Sequence, residues 1–162
     1  MSYSQYKDEI VALVAKNSNE RLNEFATKIL QKTLKYVKAM NWAGLQPEEV
    51  PVIQKLVALV ESQQIDWPQM GLLLDQLTEI SESSSDDAEE MPLEFLEFLV
   101  ALDNWRAFKE TDDKEAIAFV AENLMNLLDH YYVGDVSLDD WLMVPQIREE
   151  YLAQVQFLSN SN

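Results

Sequence analysis

Residues 19–40 read NERLNEFATKILQKTLKYVKAM. Leu22, Phe25, Ala26, Ile29, Leu30, Val37 and Met40 recur at i, i+3, i+4 and i+7. That spacing places apolar side chains on one stripe of an α-helix. Arg21, Lys28, Lys32 and Lys35 form a second, basic stripe on the same helix. Asn17-Ser18-Asn19 stops the preceding segment and offers N-caps. Trp42-Ala43-Gly44 is expected to end the helix, with Gly44 at C′.

The same period extends in both directions. Upstream, Tyr3 to Lys16 reads as a short helix with Ile10, Leu13 and Val14 inward. Downstream, Pro47 opens a third helix over about Glu48 to Ser62, a first-turn use of proline. Asp66-Trp67-Pro68 caps a fourth, carrying Met70, Leu73, Leu74, Leu77 and Ile80. Residues 81–91 are serine-rich and acidic and read as a mobile loop. Pro92 opens a fifth helix to about Glu110; it is apolar nearly all round and is expected to be the most buried. Thr111-Asp112-Asp113 stops it, and Asp112 with Glu115 has capping-box spacing. The sixth helix runs to Gly134, a short turn follows at Ser137-Leu138-Asp139-Asp140, and Pro145 opens a last helix. Residues 159–162 read as a frayed tail. No run alternates with period two. The expected fold is a single all-α domain, a compact bundle of about six or seven helices without a sheet.

Composition narrows the chemistry. The chain has 162 residues, three glycines and five prolines, too few turn residues for an all-β sandwich. It has no cysteine, which excludes disulfides, thiolate metal sites and thiol nucleophiles. Residues 2–8 lack the basic-then-apolar plan of a secretory signal. No window approaches 18 uninterrupted apolar residues, the length of a membrane span. A cytoplasmic address without membrane contact is expected.

The C-terminal half carries a family resemblance. Val100-Ala101-Leu102, Glu110-Thr111, Ala116, Ala118, Met125, Leu128 and Gly134 are followed by Ser137-Leu138-Asp139-Asp140 and Pro145-Gln146-Ile147. Glu149-Glu150 and Val155-Gln156-Phe157-Leu158 close the run. This order resembles the YjaG-type family, compact bacterial all-α proteins of unknown function; Glu20-Arg21 resembles it more loosely. The resemblance implies a helical bundle in a bacterial cytosol and transfers no site residues. The serine-acid segment at 81–91 departs from that pattern.

Few catalytic arrangements survive. His130 is the single histidine. Beside Asp129 it could act as an oriented base, but a histidine at a helix C-terminus is also what the helix dipole favours. A di-iron carboxylate bundle needs two Glu-x-x-His motifs. Glu94 and Glu97 share a face but read as solvated acids. The segment from Asp135 lacks the glycine and final glutamate of a calcium loop. No catalytic residue, metal ligand or cofactor is assigned, and a metal-carboxylate enzyme is the least favoured class.

Charge is the strongest signal. The net charge is −17, which disfavours direct nucleic-acid binding. Residues 1–55 hold 8 basic and 6 acidic side chains; residues 56–162 hold 4 basic and 23 acidic. Glu115, Glu122 and Asp129 recur at i+7, within a stripe about 40° wide on an ideal helix. Asp112, Asp113, Asp139 and Asp140 sit beyond its two ends. One reading is a solvated surface that keeps the protein soluble. The other is a docking face that steers a cationic partner. On that reading Asp112, Asp113, Glu115, Glu122, Asp129, Asp139 and Asp140 make the charge contacts. Tyr132 and Trp141 anchor them, chosen from an aromatic set that also holds Trp105, Tyr131 and Tyr151. The favoured function is an immunity or inhibitor protein that neutralises a basic toxin such as a nuclease. The alternative is a nucleic-acid mimic or regulatory adaptor that binds a basic host protein.

Overall fold

The computed structural model describes residues 1–84, 90–136 and 138–160. Most of the acidic serine-rich loop, Ser137 of the short turn, and residues 161–162 of the tail lie outside the described residues. Among the described residues the fold is all-α. The helices are α1 (Tyr3–Ala15), α2 (Asn19–Lys38), α3 (Glu49–Glu61), α4 (Trp67–Ser83), α5 (Leu93–Thr111), α6 (Glu115–Tyr132) and α7 (Pro145–Ser159). Two 3₁₀ segments, Trp42–Gly44 and Leu138–Met143, join them, and no strand occurs among the described residues.

Local chemistry sets the helix ends. Ser2 and Gln5 form a reciprocal capping box at α1, satisfying two N–H groups that the helix itself leaves unpaired. Ser18 accepts from the Arg21 N–H at 3.2 Å to open α2. Asp66 accepts from the Gln69 N–H at 3.1 Å to open α4. Two expected ends are corrected. α2 stops at Lys38, because the Asn41 side chain captures the Ala43 N–H at 3.0 Å and starts a separate 3₁₀ turn; Gly44 ends that turn. Asp112 is not an N-cap. It is the left-handed residue that ends α5, at φ 58°, and Asp113 accepts from the Glu115 N–H at 3.1 Å.

One cluster of buried apolar side chains draws on all seven helices. The central helix is α6 rather than α5. α6 contacts α1, α2, α5 and α7, and buries Ala116, Ile117, Val120, Ala121, Leu124, Met125 and Leu127. α5 packs Phe95, Phe98, Leu102, Trp105 and Phe108 inward but leaves Leu96 and Val100 exposed. An all-round apolar helix can lie at the periphery when its surplus side chains face solvent or a groove. α3 and α4 pair with each other and flank α2 and α5. Gly71 lets Arg106 cross to α4; an added Cβ would lie 3.0 Å from its guanidinium. Arg106 then spans Asp75 at 2.9 Å and Glu110 at 3.1 Å.

Residues far apart in sequence close the bundle. Tyr6, 1% exposed, donates its hydroxyl to Gln154 Oε1 at 2.7 Å. Gln154 donates in turn to Glu150, which meets Lys32 at 2.7 Å. Asn17, itself buried, donates to the carbonyl of Leu158 at 2.8 Å. Tyr6→Phe strands the Gln154 oxygen inside the core. It should cost about 1–3 kcal/mol, read as a lower urea midpoint with an unchanged slope.

Candidate functional site

Two of the three acids of the α6 stripe, Glu122 and Asp129, are half-buried. Tyr3 donates its hydroxyl to Glu122, and Lys7 Nζ lies 3.4 Å from the same carboxylate. Asp129 accepts from the indole N–H of Trp141 at 3.2 Å. Trp141 is fully buried, edge-on to Tyr3 at 5.1 Å and tilted against Tyr6 at 5.3 Å. Trp141 is therefore a packing residue and not a surface anchor. A large ring brings more apolar area into the core than its single N–H costs, and Asp129 meets that N–H. Glu122 serves the α1–α6 contact and Asp129 ties the second 3₁₀ segment to α6, so of the three acids expected as a stripe along α6 Glu115 alone is exposed.

The remaining acids fall into two groups. Asp112, Asp113 and Glu115 are exposed where α5 turns into α6. Asp112 accepts from the Asn19 side chain at 3.0 Å, which holds it against the start of α2. Asp135, Asp139 and Asp140 are exposed beyond the other end of α6. An 18-residue helix is about 27 Å long, so the two groups are distinct patches.

Glu94 and Glu97 are also packing residues. Glu94 is buried and accepts from the Tyr131 hydroxyl at 3.0 Å. Glu97 accepts from Asn123 at 2.7 Å and Asn126 at 3.3 Å, which ties α5 to α6.

The candidate aromatics separate in the same way. Trp105 is internal and donates to Asn23 at 3.0 Å. Tyr151 is half-buried and donates to Glu9 at 2.8 Å. Tyr131 and Tyr132 remain 44% exposed each. Tyr131 stacks on Tyr36 at 5.0 Å and lies 6.1 Å from Tyr132. The exposed Tyr131 and Tyr132 lie in the last turn of α6, and the exposed Asp135, Asp139 and Asp140 lie in the segment that follows it. His130 is exposed and edge-on to Tyr131 at 5.4 Å. Among the described residues, no three His, Cys, Asp or Glu side chains converge as a metal site. No described helix is long and apolar enough to cross a membrane.

A further site escaped the sequence reading. The basic residues of α2 line a groove of about 520 Å³ against α7. The stripe itself was visible in residues 19–40; the hollow depends on α7 standing away from it.

No family model matches this chain, and no curated protein or solved structure does either.

Burial first, and carboxylates beside them second, push the hydroxyl pKa values of Tyr3, Tyr131 and Tyr151 upward, that of Tyr151 to about 12. Burial, followed by the neighbouring Tyr132, raises Tyr36 to about 12. Burial holds Tyr6 well above the ordinary range. The folded chain keeps these protons where the unfolded chain, titrating near roughly pH 10, has released them. Stability is therefore fully present below about pH 10 and falls as the pH rises toward 12. Urea midpoints at rising pH, with phenolate absorbance at each step, should show this loss and a release of phenolic protons on unfolding. Trp141→Ala should cost about 3–5 kcal/mol in the same assay. A solvent-facing anchor would leave the midpoint unchanged.

Proposed function

We propose that this chain is a non-catalytic acidic binding protein of the bacterial cytoplasm. In its most economical form it is an immunity or inhibitor protein that neutralises a cationic toxin such as a nuclease. The observation that carries this reading is the pair of exposed tyrosines at the end of α6, Tyr131 and Tyr132, followed in the chain by the exposed Asp135, Asp139 and Asp140. Tyrosine offers apolar area with a polar tip at little entropic cost, which suits a binding hot spot. The adjoining acids would steer a basic surface toward it. A nuclease carries such a surface for phosphate, and occupying or flanking it would block substrate. The resemblance to the YjaG-type family belongs to the same proposal.

Asp139, Asp140 and Tyr132 are then the primary contacts. Asp112, Asp113 and Glu115 form a distant second patch, while Glu122, Asp129 and Trp141 support the fold. Nucleic-acid mimicry is weaker, because it needs regularly spaced charge along one surface. Tyr3 and Lys7 interrupt that spacing at Glu122.

The immobilised protein should retain a basic protein from source-cell and toxin-bearing extracts at about 0.05 M salt and release it by about 0.5 M. Asp139→Lys with Asp140→Lys should slow association about tenfold or more. Tyr132→Ala should cost about 2 kcal/mol of binding. Asp112→Lys with Asp113→Lys should have a much smaller effect. Retention that ignores salt, or that survives all the changes at the tyrosine end, would overturn the reading.

A further inference from the structure

We propose that the groove between α2 and α7 is a binding site for a small phosphorylated molecule carrying a flat ring, the chemistry of a nucleotide. Arg21, Lys28, Lys32 and Lys35 line one wall, and Glu150 and Phe157 lie on the other. Four of the chain's 12 basic side chains thus face one hollow in a protein of net charge −17. The volume of about 520 Å³ lies within the usual range of small-ligand sites.

These cations are only partly neutralised. Glu150 pairs with Lys32 at 2.7 Å. Lys28 and Lys35 are exposed and have no carboxylate partner among the described residues. Arg21 is held in place: it lies over the Phe157 ring at 3.7 Å, donates to the Phe157 carbonyl at 3.0 Å, and meets Glu24 at 3.3 Å. Its buried Nε–H finds no acceptor. That nitrogen is sealed from the groove, so the accessible cations there are the lysines. The groove holds like charges close together, and an anion with several acceptor oxygens would relieve their repulsion.

Size and shape select the kind of anion. Charges are screened beyond about 8 Å at physiological salt, so a ligand inside the groove feels mainly its cations. At its Lys35 end the groove adjoins a hollow that also carries Glu149 and Glu150, carboxylates that a long polyanion would have to pass. Lys28, Lys32 and Lys35 span about 10 Å along α2, a length suited to a short phosphate chain. An adjoining hollow of about 320 Å³ shares Lys32 and Lys35 and ends at Tyr36 and Tyr132. Two tyrosine rings beside a cationic row offer a place for a planar group.

Isothermal titration at low salt, with ATP, tripolyphosphate, adenosine, a thymidine 20-mer and a polyglutamate peptide, tests the proposal. ATP should bind saturably, tripolyphosphate about 10-fold more weakly, and adenosine weakest. Lys28→Glu with Lys35→Glu should weaken ATP at least about 10-fold, with an unchanged melting curve. Lys55→Glu, an exposed change on α3 outside the groove, should leave it unaffected. Tyr132→Ala should reduce ATP binding and spare tripolyphosphate. No saturable ATP binding to about 5 mM, or equal binding by the double lysine variant, would overturn the site. Tighter binding of the oligonucleotide or of polyglutamate would overturn the assignment to a small phosphorylated ligand. Tyr132 belongs to both readings, so other variants separate them: Lys28→Glu with Lys35→Glu should weaken ATP and spare partner retention, and Asp139→Lys with Asp140→Lys should do the reverse.

Discussion

In a chain with 29 acidic and 12 basic side chains, the packed acids are met largely by neutral donors rather than by ion pairs. A carboxylate removed from water costs several kcal/mol unless donors replace the lost hydration. Here neutral groups supply many of those donors. Tyrosine hydroxyls serve Glu122, Glu94 and Glu9. An indole N–H serves Asp129, and asparagine amides serve Glu97. Each of these bonds crosses between elements. Together they join α1 to α6 and α7, α5 to α6, and the second 3₁₀ segment to α6. The bundle is sewn by phenol, indole and amide donors to charged acceptors, which leaves few cations committed to the interior.

That constraint explains which readings of the sequence succeeded. The 3.6-residue period located seven helices, because apolar stripes and Ser, Asp and Pro end signals act locally. Gly44 misled because Asn41 supplied a closer capping interaction, and Asp112 because its left-handed backbone ends α5 while the N-cap residue of α6 makes no capping bond through its side chain. The prominence assigned to α5 rested on composition, whereas centrality depends on how many neighbours approach, and four helices surround α6. The stripe of Glu115, Glu122 and Asp129 was real as spacing. Its exposure was an assumption. Ala118, one turn before Glu122 and buried, borders the surface where Tyr6 and Ile10 of α1 approach. Small residues beside an acid were the available sign of a covering helix. Nothing in the local sequence of Trp141 distinguishes a buried ring from an exposed one.

The charge asymmetry of the sequence acquires a spatial form. Exposed acids of residues 56–162 include a group at each end of α6, Asp112, Asp113 and Glu115 at one and Asp135, Asp139 and Asp140 at the other, and the basic stripe of α2 faces α7. Opposite fields therefore occupy different parts of one small molecule. Net charge describes such a surface poorly, because screening restricts each ligand to the charges within its own reach. A chain can be strongly acidic overall and still present a cationic hollow.

The bonds from Tyr6 to Gln154, Asn17 to Leu158 and Glu9 to Tyr151 also set an order in time. During synthesis α1 emerges well before the residues that complete its packing. At ~5–20 residues per second, the wait is on the order of ten seconds. For that interval Tyr6, Ile10 and Val14 lack the α7 side of their final setting, and the ribosome-bound chain presents an unfinished apolar face. A pause in translation before residue 141 would lengthen that exposure.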